Sequence, residues 1–253
     1  MEYIKSNEHQ TWAEIIVDRP QKMNALTPQM CLDIADRAEE ISRRNDVRCI
    51  VFRTVGPNFS AGFDLATELD DLAAKKQWML NRSIQKAFER VRDLPVATIC
   101  ELKGMVVGLG LIFAASCDLR YATEDAVAYV PELDLGVPFS LGANALLARH
   151  IGLATVAELV LTCNRIPMSD PRMSGFLSNI VPGDRIAAYV DDVAKRIGGH
   201  AQSVVLSSVT TIREAARSLL PDPASDLFTM MYTGVEPEAT EVRARYARRF
   251  RNK

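Results

Sequence analysis

The sequence has few of the residues on which metal centres and disulfide frameworks depend. Its 253 residues include five cysteines and three histidines, and no two cysteines are spaced as CxxC. Scattered thiols in apolar surroundings, odd in number, indicate unpaired side chains in a reducing compartment. The histidines His9, His150 and His200 form no cluster along the chain. We therefore expect no metal, no disulfide and a cytoplasmic location.

Long apolar runs and an excess of one charge are also missing. The formal net charge is −2, which gives no reason to expect a nucleic acid or an anionic membrane as partner. No uninterrupted apolar run reaches the ~18 residues of a membrane span. The polar start MEYIKSNEHQ lacks the apolar core of a secretory signal. Apolar residues make up 48% of the chain, which is typical of a soluble globular protein.

Strand and helix patterns alternate over the first part of the chain. Alternation of this kind predicts an α/β fold built mostly from parallel βαβ units. Beyond about residue 185 only helical patterns follow. We predict a βα core over residues 1–185 and a helical C-terminal subdomain over residues 186–253. The predicted strands are 12–17, 48–55, 96–101 and 119–122, and the predicted helices are 28–41, 80–91, 108–116, 204–218, 226–231 and 236–249.

Two glycine-bearing loops, Phe59–Asp64 and Gly104–Gly110, directly follow predicted strands. If the loops converge, the amides of Phe63 and Gly108 could point at one oxygen atom, and the helix after Gly108 would favour negative charge there. Equally, the glycines could serve only to make tight turns. Dinucleotide-binding and P-loop patterns are absent, because Phe113 replaces the last glycine of GxGxxG and no Gly-Lys-Ser/Thr occurs.

A third segment, YVPELDLG, holds the carboxyl group of Glu132 between a proline and apolar neighbours. A carboxyl group in such surroundings tends to have a raised pKa, which suits proton transfer near neutral pH. The alternative is a surface glutamate that caps a turn or pairs with an arginine. The sequence leaves both open.

Five segments, in this order, resemble the crotonase family, the enoyl-CoA hydratase/isomerase superfamily. They are VDRPQKMNALT, FSAGFDL, LKGMVVGLGLIFAASCDLRYA, VPELDLGV and SDPRMSGFLSNIVP. The resemblance covers nearly the whole chain. It implies a ββα spiral core with a C-terminal helical trimerisation region, assembly into trimers or hexamers, and an acyl-CoA thioester as substrate with no further cofactor.

The resemblance also implies roles for individual residues. Phe63 and Gly108 would donate their amide hydrogens to the thioester oxygen, and Glu132 would be the catalytic carboxylate. The basic segment 243–253 could meet coenzyme A from a neighbouring subunit. Residues implied to line the substrate path are Lys22, Ala25, Leu26, Ala61, Gly62, Asp64, Leu65, Ile112, Phe139 and Ser140.

The chain departs from the family pattern at two carboxylate positions. Hydratases of the family carry a second glutamate where this chain has Ile112, and some relatives carry a catalytic aspartate where it has Ser140. A single carboxylate suffices to move a proton from C2 to C4 of a 3-enoyl-CoA, so we expect an isomerase. The alternatives are a hydratase with a substitute acid at Glu68, Asp70 or Asp71, and an acyl-CoA-binding protein without turnover.

Overall fold

The computed structural model describes residues 2–66 and 74–217, and single positions between 237 and 248. Within these residues the chain forms nine strands and six α-helices. The strands are β1 (Ile4–Glu8), β2 (Trp12–Val17), β3 (Cys49–Thr54), β4 (Ala97–Leu102), β5 (Met105–Val107), β6 (Leu119–Ala122), β7 (Val127–Tyr129), β8 (Ile166–Pro167) and β9 (Asn179–Ile180). The helices are α1 (Pro28–Ser42), α2 (Ala74–Arg92), α3 (Leu109–Ala115), α4 (Ala143–Leu161), α5 (Ile186–Gly198) and α6 (Gln202–Arg217).

The strands form a large and a small sheet. The large sheet has the order β1-β2-β3-β4-β6-β9, and all of its neighbours are parallel except β1 and β2. The small sheet has the order β5-β7-β8. Because β3 and β4 are parallel, the two glycine loops that follow them emerge at the same edge of the large sheet, where α/β folds commonly bind ligands.

Both faces of the large sheet are covered, which explains why β3 reads as a continuous apolar run. Ile50 and Phe52 face the core under α1, α2 and α3, whereas Cys49 and Val51 face the helix α5. On the first side Phe113 of α3 lies 5.0 Å from the ring of Phe52 and 5.4 Å from that of Phe88. These aromatic contacts hold α3 against β3 and α2.

The helices α4 and α5 were not among the helices predicted from the sequence patterns. The length and apolar composition of α4 meet the criterion for a membrane span, a test that buried core helices also pass, and Gly152 (φ 75°) breaks the helix in two. Helix α5 packs directly on the large sheet through Val190, Val193 and Ala194. The division at residues 185 and 186 stays a prediction, since most of 218–253 lies outside the described residues.

The buried side chain of Asn24 ties the N-terminal segment to the first glycine loop. Its amide nitrogen donates to the carbonyl oxygens of Val55 (2.9 Å) and Asn58 (2.8 Å), and its oxygen accepts from the amide of Arg19 (3.0 Å). Asn24 adopts a positive φ of 54°, a conformation that asparagine tolerates better than most residues. The loop that leads toward Phe63 therefore starts from a rigid point.

We expect Asn24→Ala to lower the free energy of unfolding by about 1–3 kcal/mol, because it leaves the Val55 carbonyl group and the Arg19 amide without their partner and leaves the Asn58 carbonyl group with the Thr54 hydroxyl alone. Urea unfolding measures the change. The control is Gln21→Ala, three residues earlier at an exposed position, where the change should stay within about 0.5 kcal/mol. Equal effects of the two substitutions would show that Asn24 does not anchor the loop.

Candidate active site

Backbone hydrogen bonds join the two glycine loops, as the prediction of convergence requires. The amide of Phe59 donates to the carbonyl oxygen of Lys103 (2.7 Å), and the amide of Ser60 donates to that of Met105 (3.0 Å). The amide of Val107 returns a bond to Ser60 (3.0 Å). The first loop thus runs parallel to β5, and both continue in the same direction toward residues 63 and 109.

The amide of Gly108, the second predicted donor, is not available to a ligand. The amide of Gly108 donates to the carbonyl oxygen of Tyr129 at 2.9 Å, which extends the pairing of β5 with β7. It is therefore occupied within the fold. The amides of Phe63 and Leu109 have no hydrogen-bond partner among the residues that the structure describes. Leu109 is the first residue of α3, where amides lack intrahelical acceptors.

Gly108 also allows Glu132, in the segment YVPELDLG, to approach the second glycine loop closely. Its backbone has φ 44° and ψ −110°, a conformation that residues with a Cβ rarely adopt. A Cβ atom at this position would overlap Oε1 of Glu132. The carboxyl group therefore lies directly beside the Cα atom of Gly108, the residue that precedes Leu109. This contact brings the predicted acid–base group next to a free amide.

Glu132 is buried at its functional end and makes no ion pair with any described residue. Its Oε2 atom is inaccessible to solvent and lacks a hydrogen-bond partner in the described part of the chain. Burial in this apolar site raises the pKa of Glu132 to about 8. The alternative of a surface glutamate paired with an arginine is therefore wrong. A carboxyl group in this state can hold or release a proton close to neutral pH.

The departures from the family pattern lie in the interior. Ile112 is buried in the second turn of α3, so α3 offers no carboxylate at this position. Phe139 and Ser140 are also buried, and they precede α4 in a loop where Leu141 has φ 63° and Gly142 φ 76°. The bulky residues of this loop replace the compact glycine turn that the resemblance implies. Their contact with a substrate stays a prediction.

Asp64 braces the first loop. Its carboxylate accepts a hydrogen bond from Arg19 at 2.6 Å and another from the amide of Ala66 at 3.0 Å. Burial opposes the charge of Asp64, but the hydrogen bonds from Arg19 and Ala66 and the positive charges of Arg19 and Lys22 together lower its pKa. Arg19 also donates to the carbonyl oxygen of Ala25 at 3.0 Å. The pair therefore fixes the N-terminal segment against the loop.

The remaining predicted contacts fall into three groups. Lys22 and Leu65 are exposed, Leu65 to 58%, and could reach a ligand from solvent. The side chains of Ala25 and Leu26 are buried, Ala61 is half-buried, and Gly62 packs with its Cα against the Val107 carbonyl. The substitute acids Glu68, Asp70 and Asp71 lie outside the described residues, as does most of the basic segment 243–253.

Three residues that position the site were not singled out from the sequence. Asn58 accepts the amide of Met105 at 3.0 Å, and the hydroxyl of Ser60 bridges the Gly62 amide (3.1 Å) and the Asn24 carbonyl (2.9 Å). Leu109 supplies the free amide. In the sequence, the glycine before the predicted helix indicates that an amide near residue 108 could be free. Whether it is the amide of Gly108 or of Leu109 depends on the pairing of β5 with β7.

The fold places the chain among the crotonase-fold proteins. The solved enoyl-CoA hydratase/isomerase from Xanthobacter autotrophicus Py2 has a TM-score of 0.86 at 24% identity, over 94% of this chain and 90% of that one. An enoyl-CoA hydratase from Mycobacterium avium subsp. paratuberculosis K-10 has a TM-score of 0.85 at 20% identity, over 96% and 98% of the two chains. At these identities the likeness shows the fold.

The family follows from the sequence itself. The family model described as enoyl-CoA hydratase/isomerase matches residues 7–232, and the chain belongs to that family. It is 29% identical to the mitochondrial Delta(3,5)-Delta(2,4)-dienoyl-CoA isomerase of Rattus norvegicus over 66% of this chain, which spans 54% of the rat protein. It is 25% identical to the peroxisomal protein of the same name from Arabidopsis thaliana, over 81% of this chain and 78% of the relative.

The raised pKa of Glu132 predicts a pH-dependent loss of stability. The unfolded chain releases this proton near pH 4.5 and the folded chain near pH 8. The folded state is therefore favoured fully below pH 4.5, and the advantage falls by at most ~1.4 kcal/mol per pH unit as the pH rises toward 8. Glu132→Gln cannot ionise, so its stability relative to the unsubstituted protein should increase from pH 5 to pH 8 and level off above.

Urea unfolding at several pH values measures this difference. The matched control is Glu124→Gln, an exposed carboxylate in the turn between β6 and β7. Its stability difference from the unsubstituted protein should be flat across the same range. Parallel stability curves for the unsubstituted protein and Glu132→Gln would contradict the burial of the carboxyl group.

Proposed function

We propose that this protein is an acyl-CoA isomerase that converts a 3-enoyl-CoA into a 2-enoyl-CoA. The observation that carries the proposal is the carboxyl group of Glu132, whose buried Oε2 atom has no hydrogen-bond partner in the described chain, packed against Gly108 next to the residue whose amide is free, Leu109. Membership of the enoyl-CoA hydratase/isomerase family supports a coenzyme A thioester as the substrate.

In the proposed reaction Glu132 moves one proton. Its carboxylate removes a proton from C2, and the electron pair of that bond is delocalised onto the thioester oxygen as a dienolate. The same carboxyl group then returns the proton to C4, which leaves the double bond between C2 and C3. No atom is gained or lost. The amides of Phe63 and Leu109 would donate to the oxygen as it becomes negative, and each such donor is typically worth ~10²–10³ in rate.

Ile112 argues against efficient hydration. Addition of water needs a group that activates the water molecule in addition to one that handles the transferred proton. The buried apolar side chain of Ile112 stands where the family's hydratases carry that second carboxylate. An apolar residue here would also help to keep water away from the dienolate.

The name of the rat and Arabidopsis relatives denotes a related shift of double bonds in a dienoyl-CoA. We do not extend that reaction to this chain, because Ser140 and Ile112 leave it without carboxylates at two positions where relatives carry them. The shift within a 3-enoyl-CoA requires one carboxyl group. Glu132 supplies it.

The first test removes the proton-transfer group. We expect Glu132→Gln to lower the isomerisation rate of 3-hexenoyl-CoA by about 10³-fold, since glutamine keeps the shape but cannot accept the proton. Product formation is followed by mass-resolved chromatography against a 2-hexenoyl-CoA standard. The Kd for hexanoyl-CoA, which cannot isomerise, should change by less than about threefold, because the amide donors remain.

Glu124→Gln is again the matched control and should keep full activity. Hexanoyl-CoA binding without turnover of enoyl, hydroxyacyl or malonyl thioesters by the unsubstituted protein would instead identify a non-catalytic acyl-CoA-binding protein. Hydration of 2-hexenoyl-CoA as fast as isomerisation would overturn the assignment as an isomerase.

The second test introduces the missing carboxylate. We expect Ile112→Glu to raise the addition of water to 2-butenoyl-CoA by about 10²-fold over the unsubstituted protein, because a second acid–base group then faces the site. The hydrated product is measured by mass spectrometry. The matched control is Ile112→Gln, whose side chain is nearly as large as that of Ile112→Glu but cannot titrate. Its rate of water addition should not exceed that of the unsubstituted protein. Equal rates in the two variants would show that residue 112 does not decide between the reactions.

A further inference from the structure

A group of basic side chains meets where β6, α4 and the segment before β9 come together. Arg120 lies on β6, Arg149 and His150 lie on α4, and Phe176 precedes β9. We call Arg120, Arg149 and His150 the arginine cluster. None of these residues has a role in the function proposed above.

Arg120 is a buried cation held by neutral groups. Its residue is 5% exposed. The guanidinium donates through Nε to the carbonyl oxygen of Phe176 at 2.5 Å and through Nη1 to that of Cys117, and it lies 4.9 Å from the Phe176 ring centre. The carbonyl groups accept hydrogen bonds from the guanidinium, and the aromatic ring attracts its positive charge. They do not neutralise the charge.

Arg149 and His150 reach the same place from α4. Nη2 of Arg149 lies 3.3 Å from Nε2 of His150, and the His150 ring meets the edge of the Phe176 ring at 5.9 Å. Because a guanidinium can only donate, Nε2 must be the acceptor in this contact and the imidazole is neutral. Burial, together with the charges of Arg120 and Arg149, lowers the pKa of His150 to about 3. The histidine adds no charge and offers its other ring nitrogen as a donor.

The arginine cluster lacks the carboxylates that accompany the other buried arginines of the described chain. Arg53 lies 2.8 Å from Glu14, 3.1 Å from Glu101 and 2.5 Å from Asp191. By contrast, no described carboxylate lies within 4.0 Å of Arg120 or Arg149.

Asp118, whose charge acts on both arginines, already has hydrogen-bond partners. Asp118 accepts two hydrogen bonds from Arg213 of α6, at 2.8 and 2.5 Å. It accepts two more from the amide and hydroxyl of Thr98, both at 2.8 Å. This carboxylate is therefore directed at Arg213, and no oxygen of it lies within 4.0 Å of a guanidinium nitrogen of Arg120 or Arg149. Buried like charges without a counter-ion are costly, so proteins normally pair them.

We propose that Arg120 and Arg149 form a binding site for an oxyanion, a carboxylate or a tetrahedral anion such as sulfate. The planar donor array of the Arg149 guanidinium fits two oxygens of such a group, and Arg120 adds a second positive charge without a counter-ion among the described residues, so that the two charges together match a dianion. The site is open on one side: Arg149 is half-buried, and Gly175, which packs against the carbonyl group of His150, is exposed. The anion could be free in solution or a carboxylate of a second copy of the chain.

Thermal unfolding with inorganic sulfate tests the site, with chloride at equal ionic strength as reference. We expect 50 mM sulfate to raise Tm by about 3 °C more in the unsubstituted protein than in Arg149→Gln. Sulfate also stabilises proteins nonspecifically. The matched control is therefore Arg185→Gln, an exposed arginine without an ion pair in the described chain, which should keep the full shift. Without sulfate, Arg149→Gln should be no less stable than the unsubstituted protein, because a like charge is removed.

A second measurement separates the two sources of the anion. If a carboxylate of another copy fills the site, sulfate gives no specific shift, and Arg149→Gln weakens self-association at least tenfold in sedimentation velocity while Arg185→Gln does not. Should Arg149→Gln fail to fold, Arg149→Lys keeps the charge but not the planar array, and it should lose most of the same effect. Variants at residue 149 that alter neither the sulfate shift nor self-association overturn the proposal.

Discussion

The approach of the Glu132 carboxyl group to the backbone at Gly108 is the contact on which the site depends. It requires a residue without Cβ, a positive φ at that residue and the pairing of β5 with β7. The same approach takes the carboxyl group out of water, which raises its pKa. Geometry and acidity therefore have one origin: a side chain packed against main chain where solvent has no access.

The surrounding structure holds that contact with polar braces and aromatic packing. Asn24 and the Arg19–Asp64 pair fix the first glycine loop, and Phe113 holds α3 against the sheet. These groups lie away from the reacting atoms, yet they set where the amides of Phe63 and Leu109 stand. In the function that we propose, the choice of reaction depends on a few interior positions, of which Ile112 is one. On this proposal, an isoleucine in place of a carboxylate at position 112 changes which proton transfers are feasible, while the fold remains that of the family.

Much of the fold could be predicted because long elements carry repeated signals. The strand over residues 12–17, the strand over 119–122 and the proline-capped helix from residue 28 all lie where the pattern indicates. Short elements could not be predicted from a hydrophobic period: β8 and β9 have two residues each, which is too few to show alternation. Helix α4 is apolar on nearly all sides and interrupted at Gly152, so no helical stripe marks it. Packing decides such segments, and packing is not a local property.

The sequence by itself determined the family, the candidate acid–base residue and the two loops that meet beside it, because motif order, an apolar setting and strand-terminal glycines are all local signals. Only the tertiary structure decided which amide is free. Gly108 and Leu109 are adjacent, and the difference between them is that β7 accepts a bond from one. It likewise decided which arginines have counter-ions, since Arg53 and Arg120 look alike in sequence and differ only in the elements packed against them.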